Sequence, residues 1–194
     1  MRIKPFRANY PLFDRIPSPD AFCSKAKHAF LEYKQKKLLA RVENKALYIY
    51  KIEMHHRKHT GIVALNAVED IFSGHVKKHE KTLHAREQHQ MELILRWGAI
   101  LKPVLLTFPP VPALNTWLDQ FTGAHKPLLE TYFKKDGQTQ RLWIIDAAAD
   151  VAYVQELFER EVPDAYIADG HHRTGTVALL HQEHRDAYPL LDFD

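Results

Sequence analysis

The sequence predicts an α+β protein, a mixed sheet with flanking helices, on three observations. Short segments rich in branched and aromatic residues recur along the chain, and segments with a helical apolar period lie between them. The two kinds alternate irregularly, and no internal repeat is present. Residues 1–24, rich in Pro, Phe and Ser, read as an irregular lead-in with one short strand. Residues 25–41 are polar and basic, and Lys34, Lys36 and Lys37 suit the solvated face of a helix. Residues 1–45 form this lead-in, and residues 46–194 form one domain.

Residues 46–54 are aromatic and β-branched, which predicts a strand, and residues 60–68 predict a second. The polar residues between them, His55, His56, Arg57, Lys58 and His59, predict a hairpin loop. Residues 69–98 change period: Leu83, Met91, Ile94, Leu95 and Trp97 fall on or near one helical stripe, and Gly98 marks its stop. On such a helix His75 and His79, four apart, could share a face. Residues 103–108 are a compact apolar strand closed by Pro109 and Pro110. A helix at 112–121, a strand at 128–133, a turn at 135–138 and a strand at 141–146 follow. Residues 151–162 predict a helix with Asp150 as its N-cap. Residues 164–169 predict a strand, Gly170 a turn, and residues 171–184 a helix.

Composition narrows the class. The 194 residues are 45% hydrophobic and 26% charged, enough apolar mass for a core and unlike a disordered or collagen-like chain. Net charge is only +3, well short of a dedicated nucleic-acid arm, and no helix-turn-helix pattern stands out. Cys23 is the single cysteine, so no disulfide can form within the chain. No stretch approaches the roughly 18 apolar residues of a membrane span, and the basic start lacks an apolar run behind it. A cytoplasmic setting without a membrane partner is expected. The thirteen histidines stand out, several of them clustered: His55, His56 and His59; His75 and His79; His171 and His172.

The strongest chemical signal is Asp169-Gly170-His171-His172-Arg173-Thr174, a carboxylate at a strand end, a glycine turn, then a helix start. A helix N-terminus offers amides without intrahelical acceptors and a positive dipole end, so it suits an anion. Arg173 adds a fork that matches phosphate or carboxylate geometry, and Thr174 and Thr176 could add hydroxyls. The alternative is an ordinary Asp-Gly turn with polar residues at a helix start; neither phosphate-loop nor dinucleotide glycine pattern is present. The second cluster holds His79, Glu80 and Thr82. It misses the H-E-x-x-H zinc-protease spacing, because Leu83 stands where the second histidine belongs and His84 comes one residue late. A metal set from Asp169, His171 and His172 is disfavoured, since adjacent helical residues point about 100° apart. No metal ligands are assigned from the sequence.

Together, His79-Glu80-Lys81-Thr82 and Ala168-Asp169-Gly170-His171-His172-Arg173 resemble the H-E-x-T and A-D-G-H-H-R hallmarks of the bacterial domain of unknown function 1015 family. Residues 47–50, Thr60-Gly61, Pro103-Val104 and Leu142-Trp143 resemble it more weakly. That family is distantly similar to the ParB and sulfiredoxin superfamily, whose members bind nucleotide phosphates at a strand–turn–helix corner. The resemblance implies a ParB/sulfiredoxin-like fold, with Gly170, His171, His172, Arg173 and Thr174 at the phosphates. It makes Glu80 an acid/base candidate, Asp169 a magnesium-binding or orienting carboxylate, and His79 and Thr82 supporting groups. Sulfiredoxin's cysteine has no counterpart in a corner occupied by His171 and His172, so sulfinic-acid reduction is not expected. The implied activity is nucleotide-dependent phosphoryl transfer, with ATP or ADP as donor and a small hydroxyl compound as acceptor. The alternatives are a non-catalytic nucleotide-binding module, dimeric and DNA-linked in the partition-protein manner, and a metal-dependent hydrolase or nuclease.

Overall fold

The computed structural model describes residues 1–80 and 84–184. It is α+β. In chain order the elements are β1 (Ile3–Lys4), β2 (Asn9–Pro11), α1 (Pro19–Gln35), β3 (Leu39–Arg41), β4 (Leu47–Met54), β5 (Arg57–Val63) and β6 (Leu65–Asn66). Then come α2 (Glu69–Phe72), β7 (Val76–Lys77), α3 (His84–Trp97), β8 (Leu105–Thr107), α4 (Pro112–Ala124) and β9 (Leu129–Phe133). The chain continues as β10 (Gln138–Ile145), α5 (Ala148–Glu161), β11 (Ala165–Asp169) and α6 (His171–His184). Two compact units divide these elements: one comprises Met1–Lys4, Asn66–Val111 and the chain from Glu156 onward, the other Pro5–Leu65 and Pro112–Gln155.

The second of these is built on an antiparallel sheet in the order β5-β4-β10-β9. Leu47, Tyr48 and Ile49 at the start of β4 are buried, and Trp143 and Ile145 on β10 join the same buried layer. Tyr48 is kept inside by its hydroxyl, which donates to the Phe6 carbonyl at 2.8 Å and accepts from the Ala8 amide at 3.0 Å. A buried phenol without such partners would be costly. Across β9, β10 and β4 the guanidinium of Arg141 bridges Glu130 and Glu53. The Arg141 hydrogen bond holds the Glu53 carboxyl below its usual range. Burial pushes the Tyr50 hydroxyl up to about 12.

Three local expectations change. Helix α1 starts at Pro19, well before residue 25, because Ser18 caps it by accepting from the Ala21 amide at 3.3 Å and Pro19 fills the first turn without an amide to satisfy. The helix then yields at Lys37 (φ 53°), and residues 39–41 pair as β3 against β2. The hairpin turn is tighter than five residues: His55 (φ 50°) and His56 make it, while Arg57, Lys58 and His59 belong to β5 and pair with Met54, Glu53 and Ile52.

The third change bears on the site. Residues 69–98 are not one helix. Gly74 turns with φ 79° after the single turn of α2, and Val76 and Lys77 extend as β7. The strand forms because it pairs parallel with β11, Ala165 opposite Val76 and Tyr166 opposite Lys77. His75 and His79 therefore share no helix face. His75 instead contacts Asp164, Nδ1 to Oδ1 at 2.9 Å, at the start of the strand pair.

That pairing belongs to the other unit, a three-stranded mixed sheet in the order β7-β11-β8. The central strand β11 is parallel to β7 and antiparallel to β8, with a register shift between Ile167 and Asp169. Ala165 and Ile167 are buried while Tyr166 is exposed, the alternation of a strand covered on one face. Helix α3 packs on α6, and Phe108 meets Phe158 edge to face with ring centroids 5.4 Å apart. Among the described residues no helix is long and apolar enough to cross a membrane.

Candidate functional site

Parallel pairing brings the two motifs together. Because β7 and β11 run the same way, their carboxyl ends open at one sheet edge, and ligands of α/β sheets commonly bind beyond such ends. The chain leaving β7 carries His79 and Glu80, and the chain leaving β11 carries Gly170 and His171. Some ninety residues of sequence separation thus collapse into direct contact. The rings of His79 and His171 meet edge to face with centroids 4.3 Å apart. Glu80 Oε2 lies 3.5 Å from His171 Nδ1.

The corner itself is tightly specified. Gly170 has φ 106°, a backbone region that L side chains rarely adopt. A Cβ there would stand 2.9 Å from Arg173 Nη2 and 3.1 Å from Cζ, so the missing side chain makes room for the guanidinium. Gly170 also starts the helix: its carbonyl accepts from the Thr174 amide at 2.9 Å and from the Thr174 hydroxyl at 3.2 Å. Thr176 likewise donates to the His172 carbonyl at 2.8 Å. Both threonines are buried with their protons committed to the helix backbone.

The charged groups divide between anchoring and facing outward. Arg173 Nη2 donates to Asp169 Oδ2 at 2.7 Å, one helical turn back. This bond and the guanidinium's charge hold the Asp169 carboxyl below its usual range; Lys102 contributes further. Three polar atoms at the helix start are buried without a hydrogen-bond partner among the described residues: His171 Nε2, His172 Nδ1 and Arg173 Nε. Buried polar atoms are rarely left so, and three on consecutive residues need an explanation. Thr82 lies outside the described residues.

The pair also fixes a pH dependence. The Asp169 carboxyl is depressed in the folded state, so its contribution is complete above the ordinary aspartate value of about 3.9 and is lost as pH falls through the lower folded value. A carboxyl-resolved NMR titration should give Asp169 a midpoint below about 3.9, returning towards it in Arg173→Gln. An ordinary midpoint in the unaltered protein would mean that the pair does not form in solution.

Two features were not legible from the sequence. Lys102 influences Asp169 because β8 runs antiparallel to β11, with Leu105 opposite Asp169. Only the strand order could have revealed it. The other is the set His79, Glu80 and His171, whose ligand atoms all lie within 4.8 Å of one another. The sequence paired His171 with His172 and Asp169 in considering a metal, whereas the sheet pairs it with the first motif.

A mixed-sheet α+β unit with a strand–glycine–helix corner at the carboxyl ends of paired strands defines the structural class. The chain belongs to the family described as Protein of unknown function (DUF1015), whose model matches residues 11–191. The match spans both motifs. No curated protein matches the chain. No solved structure matches it either.

Proposed function

We propose that the corner binds the phosphoryl groups of a nucleotide and that the protein transfers phosphate to a small hydroxyl compound. The observation that carries this reading is the cluster of buried polar atoms on His172 and Arg173, at the amino end of α6, that have no hydrogen-bond partner among the described residues. The amides of the first helical turn have no intrahelical acceptor and share the positive end of the dipole. A phosphate there would offer acceptors to these amides and to the guanidinium, and the Arg173 fork is already held in place by Asp169. Glu80, 63% exposed, lies 3.5 Å from His171 at the same corner, and in this reading it contacts an acceptor hydroxyl and takes its proton. Mg2+ is bound in such sites by one or two carboxylates plus phosphate oxygens. Asp169, which accepts from Arg173, is the carboxylate that would serve an ion carried in on the nucleotide.

This reading extends to a ParB/sulfiredoxin-like fold, on the motif resemblance, and to a cytoplasmic setting. Calorimetry with a panel of nucleotides, each with and without Mg2+, tests it. At least one should bind at one per chain, and Arg173→Ala should weaken it about 10–100-fold, as expected for losing a hydrogen bond from a charged group. Over a panel of amino-acid and sugar acceptors, Glu80→Gln should lose turnover while keeping nucleotide affinity. Nucleotide bound without turnover by the unaltered protein would point to the non-catalytic module instead, with dimerisation and salt-sensitive DNA binding its next tests. No binding across the panel would overturn the reading.

A further inference from the structure

We infer that His79, Glu80 and His171 form a binding site for a first-row divalent transition-metal ion. Two imidazoles and one carboxylate offer ligand atoms within 4.8 Å of one another. Ligands bound at about 2.0–2.1 Å around one tetrahedral ion lie roughly 3.3–3.4 Å apart. The Glu80 Oε2 to His171 Nδ1 separation, 3.5 Å, is already close to that spacing. Only His79 has to approach, and it is exposed and lies in the irregular stretch after β7, where ring rotation is unhindered by helical packing.

Two further observations support the site. His171 is only 5% exposed, and its Nε2 is buried without a partner among the described residues. Burial therefore holds the ring with Nδ1, the candidate ligand atom, turned to Glu80. The irregular backbone at His79 and Glu80 also removes the obstacle that applies to neighbours on a helix. Consecutive residues there are free of the 100° rotation that separates the rings of His171 and His172. His75 takes no part, since its ring is engaged with Asp164 at the opposite end of the strand pair.

Ligand chemistry selects the ion. Mg2+ and Ca2+ prefer all-oxygen shells, whereas imidazole with one carboxylate suits Zn2+, Co2+, Ni2+ or Fe2+. Three protein ligands leave positions open for water or a substrate oxygen, as catalytic zinc sites do. An ion at this point lies against the corner proposed to hold phosphate. It would lower the pKa of a bound hydroxyl, and with Glu80 engaged as its ligand the ion would activate the acceptor in place of Glu80 acting as a free base. The site stands on its three ligands whether or not the corner takes a nucleotide.

Metal-stripped full-length protein titrated with Co2+ alone, followed by visible absorption and displaced with Zn2+, tests this inference. One equivalent should bind with the intense absorption of a low-coordinate site. His79→Ala and Glu80→Gln, both at exposed positions, should each weaken binding at least about tenfold, the lower end of what even outer-shell changes cost. Their melting without metal should match the unaltered protein, which separates ligand loss from unfolding. Replacing His55, His56 and His59 together by Ala should leave the binding intact. If the unaltered protein takes up no stoichiometric Co2+, or if His79→Ala and Glu80→Gln bind as it does, the inference is overturned. Nucleotides are absent throughout, so failure of the nucleotide reading leaves this result unaffected.

Discussion

Gly170→Ala is expected to weaken anion binding at the corner about 10–100-fold, as Arg173→Ala does, and to destabilise the protein by about 1–3 kcal/mol, the range for a strained backbone at a functional position. Two effects act together. The φ of 106° is costly for any residue with a Cβ, and the added methyl would stand 2.9 Å from Arg173 Nη2. The guanidinium is the far end of a flexible side chain, so it can move aside, but moving breaks its 2.7 Å bond to Asp169. An anion site then loses its arginine while the helix still forms, since the Gly170 carbonyl that accepts the Thr174 amide is retained. Calorimetric phosphate or nucleotide affinity, measured beside a denaturant midpoint, separates the two effects. Unchanged affinity in a variant that is folded but less stable would mean that Arg173 is not an anion ligand. Arg173→Ala supplies the comparison, because it removes the ligand without straining the turn.

How much of this was legible in the sequence follows physical lines. The strand at residues 46–54 and the one at 141–146 were readable because their buried aromatic and branched residues leave few alternatives, and the structure pairs them as β4 and β10. The corner was readable because Asp169, Gly170 and Arg173 are close in sequence, and their geometry is set by one turn and one helical repeat. The break between α2 and α3 was not readable. Val76 and Lys77 are a two-residue strand that exists only because β11, some ninety residues later, offers a parallel partner. The same cause hid the contact between His79 and His171, which no local pattern encodes. The early start of α1 is different: Ser18 followed by Pro19 is a local capping signal that the sequence did contain.

Ile167→Ala should be the most damaging of the single substitutions considered, at about 2–5 kcal/mol, the usual cost of truncating a buried isoleucine. Ile167 is 0% exposed on β11, the central strand of its sheet, and Leu106 of β8 stands opposite it. The same strand aligns β7 on its other side, so it positions both halves of the site: Gly170 and Arg173 directly, His79 and Glu80 through the parallel pair. Loosening it should therefore weaken anion and metal binding together, although Ile167 bears no polar atom and contacts no ligand. Its neighbour Tyr166, 50% exposed, faces the opposite way and gives the control. Tyr166→Ala should change stability by no more than about 0.5 kcal/mol, as typical of surface positions. Urea midpoints of the two variants, with hydrogen exchange along β7 and β11, check the contrast. Equal costs at the two positions would show that β11 is not covered on one face, and the route by which the sheet joins the two motifs would have to be redrawn.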